Sequence, residues 1–199
     1  MRSHSFGLEQ MPRRTPGILA LAAPLIVGAA LAVLYVIRPA LASPATIPHA
    51  LSALTPVAQP KPAPNASFVD GKGQAQALSA FKGRVVILNL WATWCTPCVR
   101  ELPAVGKLAA ALGPGKVAVV AVNAGHDDAA ATAAFLKAHG AANLAVYRDP
   151  NLSLLTAFGS QGLPFSVLID AKGREIARAS GPMQWDDPAA IAYFKALGN

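Results

Sequence analysis

Two cysteines are the residues of this sequence best suited to covalent chemistry. The chain has 199 residues and contains only Cys95 and Cys98, which are separated by Thr96 and Pro97. Thiols three residues apart can form a disulfide and exchange it with the sulfurs of another protein. The same pair could supply half of a zinc site, or it could be a structural crosslink. The segments on either side of the pair decide among these chemistries.

A predicted strand precedes the pair and a predicted helix begins within it. Residues 84–90 read RVVILNL, a short apolar run typical of a buried parallel strand. Residues 96–112 repeat apolar side chains at helical spacing and end before Gly113. The first turn of a helix has unpaired N–H groups and a positive dipole end, which stabilise a thiolate. We therefore predict that Cys95 is the nucleophile and that Cys98, one turn into the helix, is the resolving thiol.

The two other chemistries need features that the sequence does not offer beside the thiols. A zinc site would require two further ligands, yet the chain has no second cysteine pair, and His126 and His139 lie far along it. A structural disulfide does not usually link residues three apart at a strand–helix junction. We predict a redox-active Cys95–Cys98 disulfide with no metal ion and no cofactor.

The chain beyond residue 65 alternates strands and helices. Residues 170–173 read DAKG, which predicts a hairpin turn between the last two strands. Alternation that ends in a hairpin predicts an α/β domain with a mixed central sheet flanked by helices. The predicted strands are 84–90, 117–122, 144–147, 165–169 and 175–179, and the predicted helices are 96–112, 129–139, 151–158 and 188–197.

An apolar segment near the N-terminus predicts a membrane anchor. Residues 18–37 carry no charge, and as a helix they would span about 30 Å, the thickness of a bilayer core. Arg13 and Arg14 precede the segment, so the positive-inside rule places residues 1–17 in the cytoplasm and residues 39–199 outside. The alternatives are a signal peptide cleaved after Ala42 and, less well supported, a twin-arginine export signal. Each of them delivers the later domain across the inner membrane.

Residues 38–65 are rich in proline and alanine. Seven prolines fall in this stretch, which predicts an extended linker between the anchor and a domain at 66–199. Residues 66–199 carry twelve basic and nine acidic side chains and no basic run. This balance argues against nucleic-acid binding.

The residues around the cysteines resemble a known family. Residues 88–103, LNLWATWCTPCVRELP, are similar to the active-site segment of the thioredoxin-like, membrane-anchored TlpA/ResA/CcmG proteins. Residues 180–185, SGPMQW, resemble a segment of the TlpA branch, and the likeness covers about 66–199. It implies a thioredoxin-like fold and a periplasmic thiol–disulfide oxidoreductase of the bacterial inner membrane, usually a reductase.

The resemblance also implies a proline loop that faces the cysteines. Pro164 matches the cis-proline of the family and lies between Leu163 and Phe165. Phe165 replaces the threonine that commonly follows this proline, at a position expected to contact the partner. The residues predicted to bind the substrate are Trp94, Thr96, Pro97, Leu163 and Phe165.

An acidic residue matches the family pattern on the helix that carries the thiols. Glu101 lies three residues after Cys98 and so on the same helix face. If it is buried, it could hold a proton and tune both thiols. Asn89 stands where soluble thioredoxins have a buried aspartate, which makes Glu101 the candidate to replace it.

The expected partners follow from the same resemblance. The reductase would act on a disulfide-containing periplasmic protein: a copper-centre assembly factor, an oxidase subunit or apocytochrome c. A membrane electron donor of the DsbD/CcdA type would reduce Cys95–Cys98 again. The alternatives are a thiol oxidant in disulfide formation and a Cu(I)-binding chaperone.

Overall fold

A single eight-stranded mixed sheet forms the centre of the computed structural model, which describes residues 46–199. The strands lie in the order β1-β8-β7-β4-β5-β6-β2-β3. Their bounds are β1 Thr55–Pro62, β2 Ser67–Asp70, β3 Ala75–Ala77, β4 Val85–Trp91, β5 Val117–Asn123, β6 Tyr147–Arg148, β7 Phe165–Ile169 and β8 Arg174–Ser180. The helices are α1 Thr96–Leu112, α2 Ala129–Ala138, α3 Ser153–Phe158 and α4 Pro188–Leu197.

The sheet is built around β4, whose seven residues are all buried. β4 runs parallel to β5 and antiparallel to β7, so the sheet is mixed as predicted. One face packs against α1, α2 and α4 through side chains such as Leu102, Leu136 and Phe194. The other face packs against α3 through Leu154 and Phe158. Burial of both faces explains the uninterrupted apolar sequence of β4.

Two of the predicted helices have the predicted bounds, whereas two edge elements of the sheet were not predicted correctly. The helices 96–112 and 188–197 are observed as α1 and α4. The strand predicted at 144–147 is wrong, because only Tyr147–Arg148 pairs with a neighbour. The β2–β3 hairpin was not predicted, because Phe68 is its one nearly fully buried side chain and gives no alternating pattern.

The domain begins earlier than the predicted boundary at residue 66. Thr55–Pro62, part of the predicted linker, pairs antiparallel with β8 as an edge strand. Leu51, in a 3₁₀ turn at His49–Leu51, has no exposed surface, and Leu54 is also buried. The linker prediction is therefore wrong for residues 48–62, because the prolines occupy a sheet edge, where a missing N–H is tolerated. The predicted segments 1–17 and 18–37 lie outside the described residues.

No helix within residues 46–199 is long and apolar enough to cross a bilayer.

Replacing Leu51 by alanine tests whether this early segment belongs to the core. Because Leu51 is fully buried, Leu51→Ala is expected to lower the free energy of unfolding by about 2–5 kcal/mol. Urea unfolding followed by tryptophan fluorescence measures the change. Ser52→Ala is the matched control, since Ser52 is the exposed neighbour in the same turn, and it should alter stability by less than about 0.5 kcal/mol. If the two variants were equally stable, the segment around Leu51 would belong to the linker and not to the core of the domain.

Candidate redox site

The two cysteines form a disulfide at the first turn of α1. Their sulfurs are 2.06 Å apart and their Cα atoms 5.3 Å apart. Cys95 is the N-cap residue of α1, and its carbonyl accepts the Val99 N–H at 3.0 Å. The unpaired N–H groups of the helix start therefore lie beside the sulfur of Cys95. This is the environment in which a cysteine thiolate is stabilised.

Exposure differs between the residues around the disulfide. Trp94 is 71% exposed, Thr96 is exposed and Pro97 is half-buried, so these three surround the disulfide at the surface. Cys98 has no exposed surface, whereas Cys95 keeps 5%. Cys95 is therefore the less buried residue of the pair, and its role as the nucleophile stays a prediction.

The proline loop lies at the same edge of the sheet as the disulfide. The Leu163–Pro164 peptide bond is cis, as predicted. Phe165 pairs with Leu90 at the carboxyl end of β4, the strand that leads to Cys95. Pro164 is buried, and its carbonyl accepts the Gly181 N–H at 2.9 Å. Leu163 is half-buried and keeps surface for a partner.

Phe165 does not fit its predicted role in substrate binding. Its ring is 2% exposed and packs in the core, 6.5 Å from the ring of Phe158. The guanidinium of Arg178 lies 5.7 Å from the ring centroid. Both faces of β7 are buried, so alternation along the strand could not show where this side chain points. The prediction that the side chain contacts a partner is wrong.

Glu101 is a buried residue of α1, and its carboxylate accepts three hydrogen bonds. It is 5% exposed. Its Oε1 accepts from Asn89 Nδ2 at 3.0 Å, and its Oε2 accepts from the Met183 N–H at 3.2 Å and from Trp185 Nε1 at 3.1 Å. Desolvation raises the pKa of Glu101, and the three hydrogen bonds oppose that rise. A buried carboxyl group with a raised pKa is suited to proton transfer near a thiol.

Asn89 connects Glu101 to the neighbouring strand. Its Nδ2 also donates to Ser166 Oγ at 3.2 Å, and all three side chains are buried. Its Oδ1 has no hydrogen-bond partner within the described residues. The position that an aspartate occupies in soluble thioredoxins thus holds a neutral amide that donates to Glu101.

The sequence did not predict that Met183 and Trp185 donate hydrogen bonds to Glu101. Met183 and Trp185 are both buried, and Gln184, between them, donates its N–H to the Ala50 carbonyl at 3.1 Å. The early segment of the domain therefore holds the Met183–Trp185 segment on Glu101. The tryptophan of the SGPMQW motif was the available signal, since a buried indole N–H usually finds an acceptor.

Two side-chain hydrogen bonds to Asp127 stabilise the loop that precedes Cys95. Thr93 Oγ1 donates to Asp127 Oδ2 at 2.9 Å, and Asn123 Nδ2 donates to the same oxygen at 3.0 Å. Asp128 caps α2 by accepting the Ala131 N–H at 2.7 Å. Asp128 therefore caps α2, whereas Asp127 connects the loop before α2 to the loop that contains Thr93.

An open cavity of about 420 Å³ lies beside the first turns of α1. Glu101 contributes to its wall, and Pro97 connects the cavity to the disulfide. The other residues that line it are Arg100, Ala104, Pro182, Met183, Gln184, Asp186 and Asp187. Within residues 46–199, this cavity included, no three side chains of His, Cys, Asp or Glu converge as a metal-binding group.

A helix-capping disulfide that follows the central strand, beside a cis-proline, places the protein in the thioredoxin-like class of thiol–disulfide oxidoreductases. A model of the Redoxin family matches residues 58–193, and the chain therefore belongs to that family.

Individual relatives agree with this class. The thiol-disulfide oxidoreductase ResA of Bacillus subtilis (strain 168) is 35% identical over 121 residues, which are 61% of this chain and 66% of that protein. ResA of Geobacillus kaustophilus is 32% identical over 133 residues, 67% of this chain and 75% of that protein. A crystal structure described as a thiol:disulfide interchange protein DsbE from Chlorobium tepidum shares 29% identity with a TM-score of 0.61, covering 72% of this chain and 99% of that one. The sequence match thus spans about two thirds of the length of the Bacillus subtilis relative, and placement in the TlpA branch stays a prediction.

Proposed function

We propose that the protein is a membrane-anchored periplasmic reductase of disulfides in partner proteins. The observation that carries the proposal is the Cys95–Cys98 disulfide at the start of α1, with Glu101 buried three residues further along the same helix. The uncharged segment 18–37 supports anchoring in the inner membrane, with the domain on the periplasmic side.

The reaction is a two-electron exchange among four sulfurs. The Cys95 thiolate attacks a partner disulfide, forms a mixed disulfide and releases one partner thiolate, which takes up a proton. Cys98, deprotonated, then attacks the Cys95 sulfur and releases the second partner thiol. The partner gains two electrons, and the Cys95–Cys98 pair is left oxidised. A membrane donor of the DsbD/CcdA type would supply two electrons to restore the dithiol.

The proposed partners are proteins of cytochrome biogenesis. The likeness to ResA and DsbE proteins and the SGPMQW segment support apocytochrome c, an oxidase subunit or a copper-centre assembly factor. The cavity beside α1 offers a place for the polypeptide on either side of the partner cysteine, with Arg100 and Asp186 as its charged contacts.

The reduction potential tests the direction of electron flow. The full chain in detergent is equilibrated with defined thiol buffers, because truncation at residue 66 would delete β1 and Leu51. A potential near or below about −220 mV, in the range of glutaredoxins and thioredoxin, supports a reductase. A potential near about −120 mV, as for DsbA, would make the protein an oxidant in disulfide formation. No observation within residues 46–199 favours the third candidate, a Cu(I) chaperone.

Removal of the exposed tryptophan should separate partner recognition from stability. Since Trp94 is 71% exposed, Trp94→Ala should change the free energy of unfolding by less than about 0.5 kcal/mol. The rate of reduction of a protein disulfide should fall roughly tenfold, because an aromatic contact at an interface contributes more than about 1 kcal/mol. Stopped-flow rates with a protein disulfide and with a small aromatic disulfide reagent measure both effects.

Trp94→Ala should slow the reduction of the protein disulfide and leave the reaction with the small reagent unchanged. Trp94→Phe should restore much of the rate with the protein disulfide. Equal rates of protein reduction by wild type and Trp94→Ala would remove Trp94 from the partner surface. An equal loss with the small reagent would instead place its role in the chemistry of Cys95.

A further inference from the structure

The basic side chains of the domain are concentrated at the end of the sheet opposite the disulfide. Cys95 follows the carboxyl end of β4, whereas Arg84 and Lys116 directly precede β4 and β5. β4 has seven residues, so at about 3.3 Å per residue these two ends lie roughly 23 Å apart. We name the end opposite Cys95 the basic pole, and it consists of Lys61, Lys82, Arg84, Lys116, Lys172, Arg174 and Lys195.

Backbone pairing brings the β7–β8 turn to this end. Ile169 pairs with Val86, near the start of β4, and the turn that follows contains Lys172. Arg174, the first residue of β8, lies opposite Pro62 at the end of β1. Lys61, next to Pro62, therefore joins the same end.

Two further observations complete the basic pole. Gly83, which follows Lys82, donates its N–H to the Ala171 carbonyl of the β7–β8 turn at 2.9 Å. Lys195 lies in the last turn of α4, and it lines the same surface depression as Lys116. The seven basic residues thus come from five separate parts of the chain.

The charge of the described domain is segregated between its two ends. Residues 46–199 contain thirteen basic and nine acidic side chains. The basic pole holds seven of the basic side chains and one acid, Asp170, so its side chains carry a formal charge of +6. The rest of residues 46–199 carries −2, and it includes Asp127, Asp128, Asp186 and Asp187 at the end that holds the disulfide.

Most charges of the basic pole have no acidic partner. Within residues 46–199, its one ion pair joins Arg174 to Asp170 at 2.7 Å. Five lysines of the basic pole are exposed: Lys61, Lys82, Lys116, Lys172 and Lys195. Unpaired like charges at one surface create a positive potential that an extended anionic surface would relieve.

We infer that the basic pole binds an anionic lipid bilayer. The inference rests on the proposed function, in which residues 18–37 anchor the chain and keep the domain near a bilayer. Basic side chains are attracted to anionic lipids within a Debye length, about 8 Å at physiological ionic strength. Because the five lysines are spread over separate strands, turns and a helix, they match an extended lipid surface better than a single phosphate group.

Lysine labelling measures this contact on the full chain. The protein is reconstituted in nanodiscs of phosphatidylcholine alone or with 30% phosphatidylglycerol, and amines are acetylated by a membrane-impermeant reagent. Residues 1–45 contain no lysine, so every labelled lysine reports on the domain. The five lysines of the basic pole should label at least threefold more slowly in the anionic discs. Lys72, Lys107 and Lys137, which lie outside the basic pole, should label equally in both.

Matched charge-reversal variants and added salt test whether the protection of the lysines depends on the charge of the basic pole. Lys82→Glu with Lys172→Glu should abolish the protection of the remaining lysines of the basic pole, as should 0.5 M NaCl. Lys72→Glu with Lys137→Glu makes the same change in net charge and should leave the protection intact. Equal labelling in the two lipids, or protection confined to the lysines outside the basic pole, would overturn the inference. Protection by inorganic phosphate in neutral discs would replace the bilayer with a small anion.

The labelling experiment also separates this inference from the proposed function. Co-elution of the chain with both kinds of nanodisc tests anchoring, whatever the labelling pattern. A chain that does not elute with either disc would contradict the anchoring on which the inference rests. An anchored chain with unprotected lysines would contradict the inference alone.

Discussion

Cys95→Ser is expected to abolish the reduction of protein disulfides. Cys95 is the less buried residue of the pair, lies at the start of α1 beside the free N–H groups, and is flanked in the sequence by the exposed Trp94 and Thr96. Serine cannot form a mixed disulfide, and Cys98 has no exposed surface with which to replace it. The measurement is the rate at which insulin disulfides are reduced in the presence of a chemical reductant. With Cys95→Ser this rate should fall to that of the uncatalysed reaction.

Cys98→Ser should behave differently, and this contrast tests the assignment of roles. The variant retains the attacking thiol but lacks the resolving one, so it should accumulate a mixed disulfide that mass spectrometry detects at one partner per chain. If Cys98→Ser turned over normally while Cys95→Ser trapped the partner, the two roles would be reversed. Wild-type turnover by Cys95→Ser would end the proposal of a Cys95-dependent reductase.

Local signals explain why the central elements were predictable. The run RVVILNL predicts a strand buried on both faces, and six of its seven residues lie in β4. α1 begins with a proline in its first turn and ends at Gly113, whose φ of 60° is in the left-handed region. Because these signals are local, the helix start and its disulfide could be located from the sequence.

Other features depend on pairing that the sequence does not reveal. β1 carries prolines and exposed residues, and its partner β8 lies more than a hundred positions along the chain. The net charge of residues 66–199 is small, so the basic pole emerges only when five parts of the chain meet. In the candidate site, Glu101 was predictable from its helix face, whereas its three donors come from β4 and from the Met183–Trp185 segment.

Glu101→Gln should shift the titration of the Cys95 thiol to lower pH. An ionised Glu101 on the helix face of Cys98 disfavours a second negative charge on the nearby thiols, so a neutral glutamine should favour the thiolate. The expected shift is on the order of one pH unit. Thiolate absorbance of the reduced protein near 240 nm measures it, and Glu101→Asp, which keeps the charge, should restore part of the wild-type titration.

Asp186→Asn is the matched control for loss of a carboxylate. Asp186 lines the same cavity, but its side chain is 35% exposed and pairs with Lys107 at 2.9 Å. Water screens such a group, so this variant should leave the Cys95 titration nearly unchanged. An equal shift in both variants would indicate a general change in surface potential. An unchanged titration in Glu101→Gln would leave Glu101 with a structural role only.

The raised pKa of Glu101 also predicts how stability depends on pH. Burial makes the folded chain hold the Glu101 proton to a higher pH than the unfolded chain does. The stability contributed by protonated Glu101 is therefore full below the ordinary glutamate pKa and is lost as pH rises through the folded pKa. The difference in unfolding free energy between wild type and Glu101→Gln should fall across this window, by at most about 1.4 kcal/mol per pH unit for one proton. Urea unfolding at a series of pH values measures the slope. A flat difference would mean that the three hydrogen bonds cancel desolvation, and a rising difference would mean that they outweigh it and lower the pKa of Glu101.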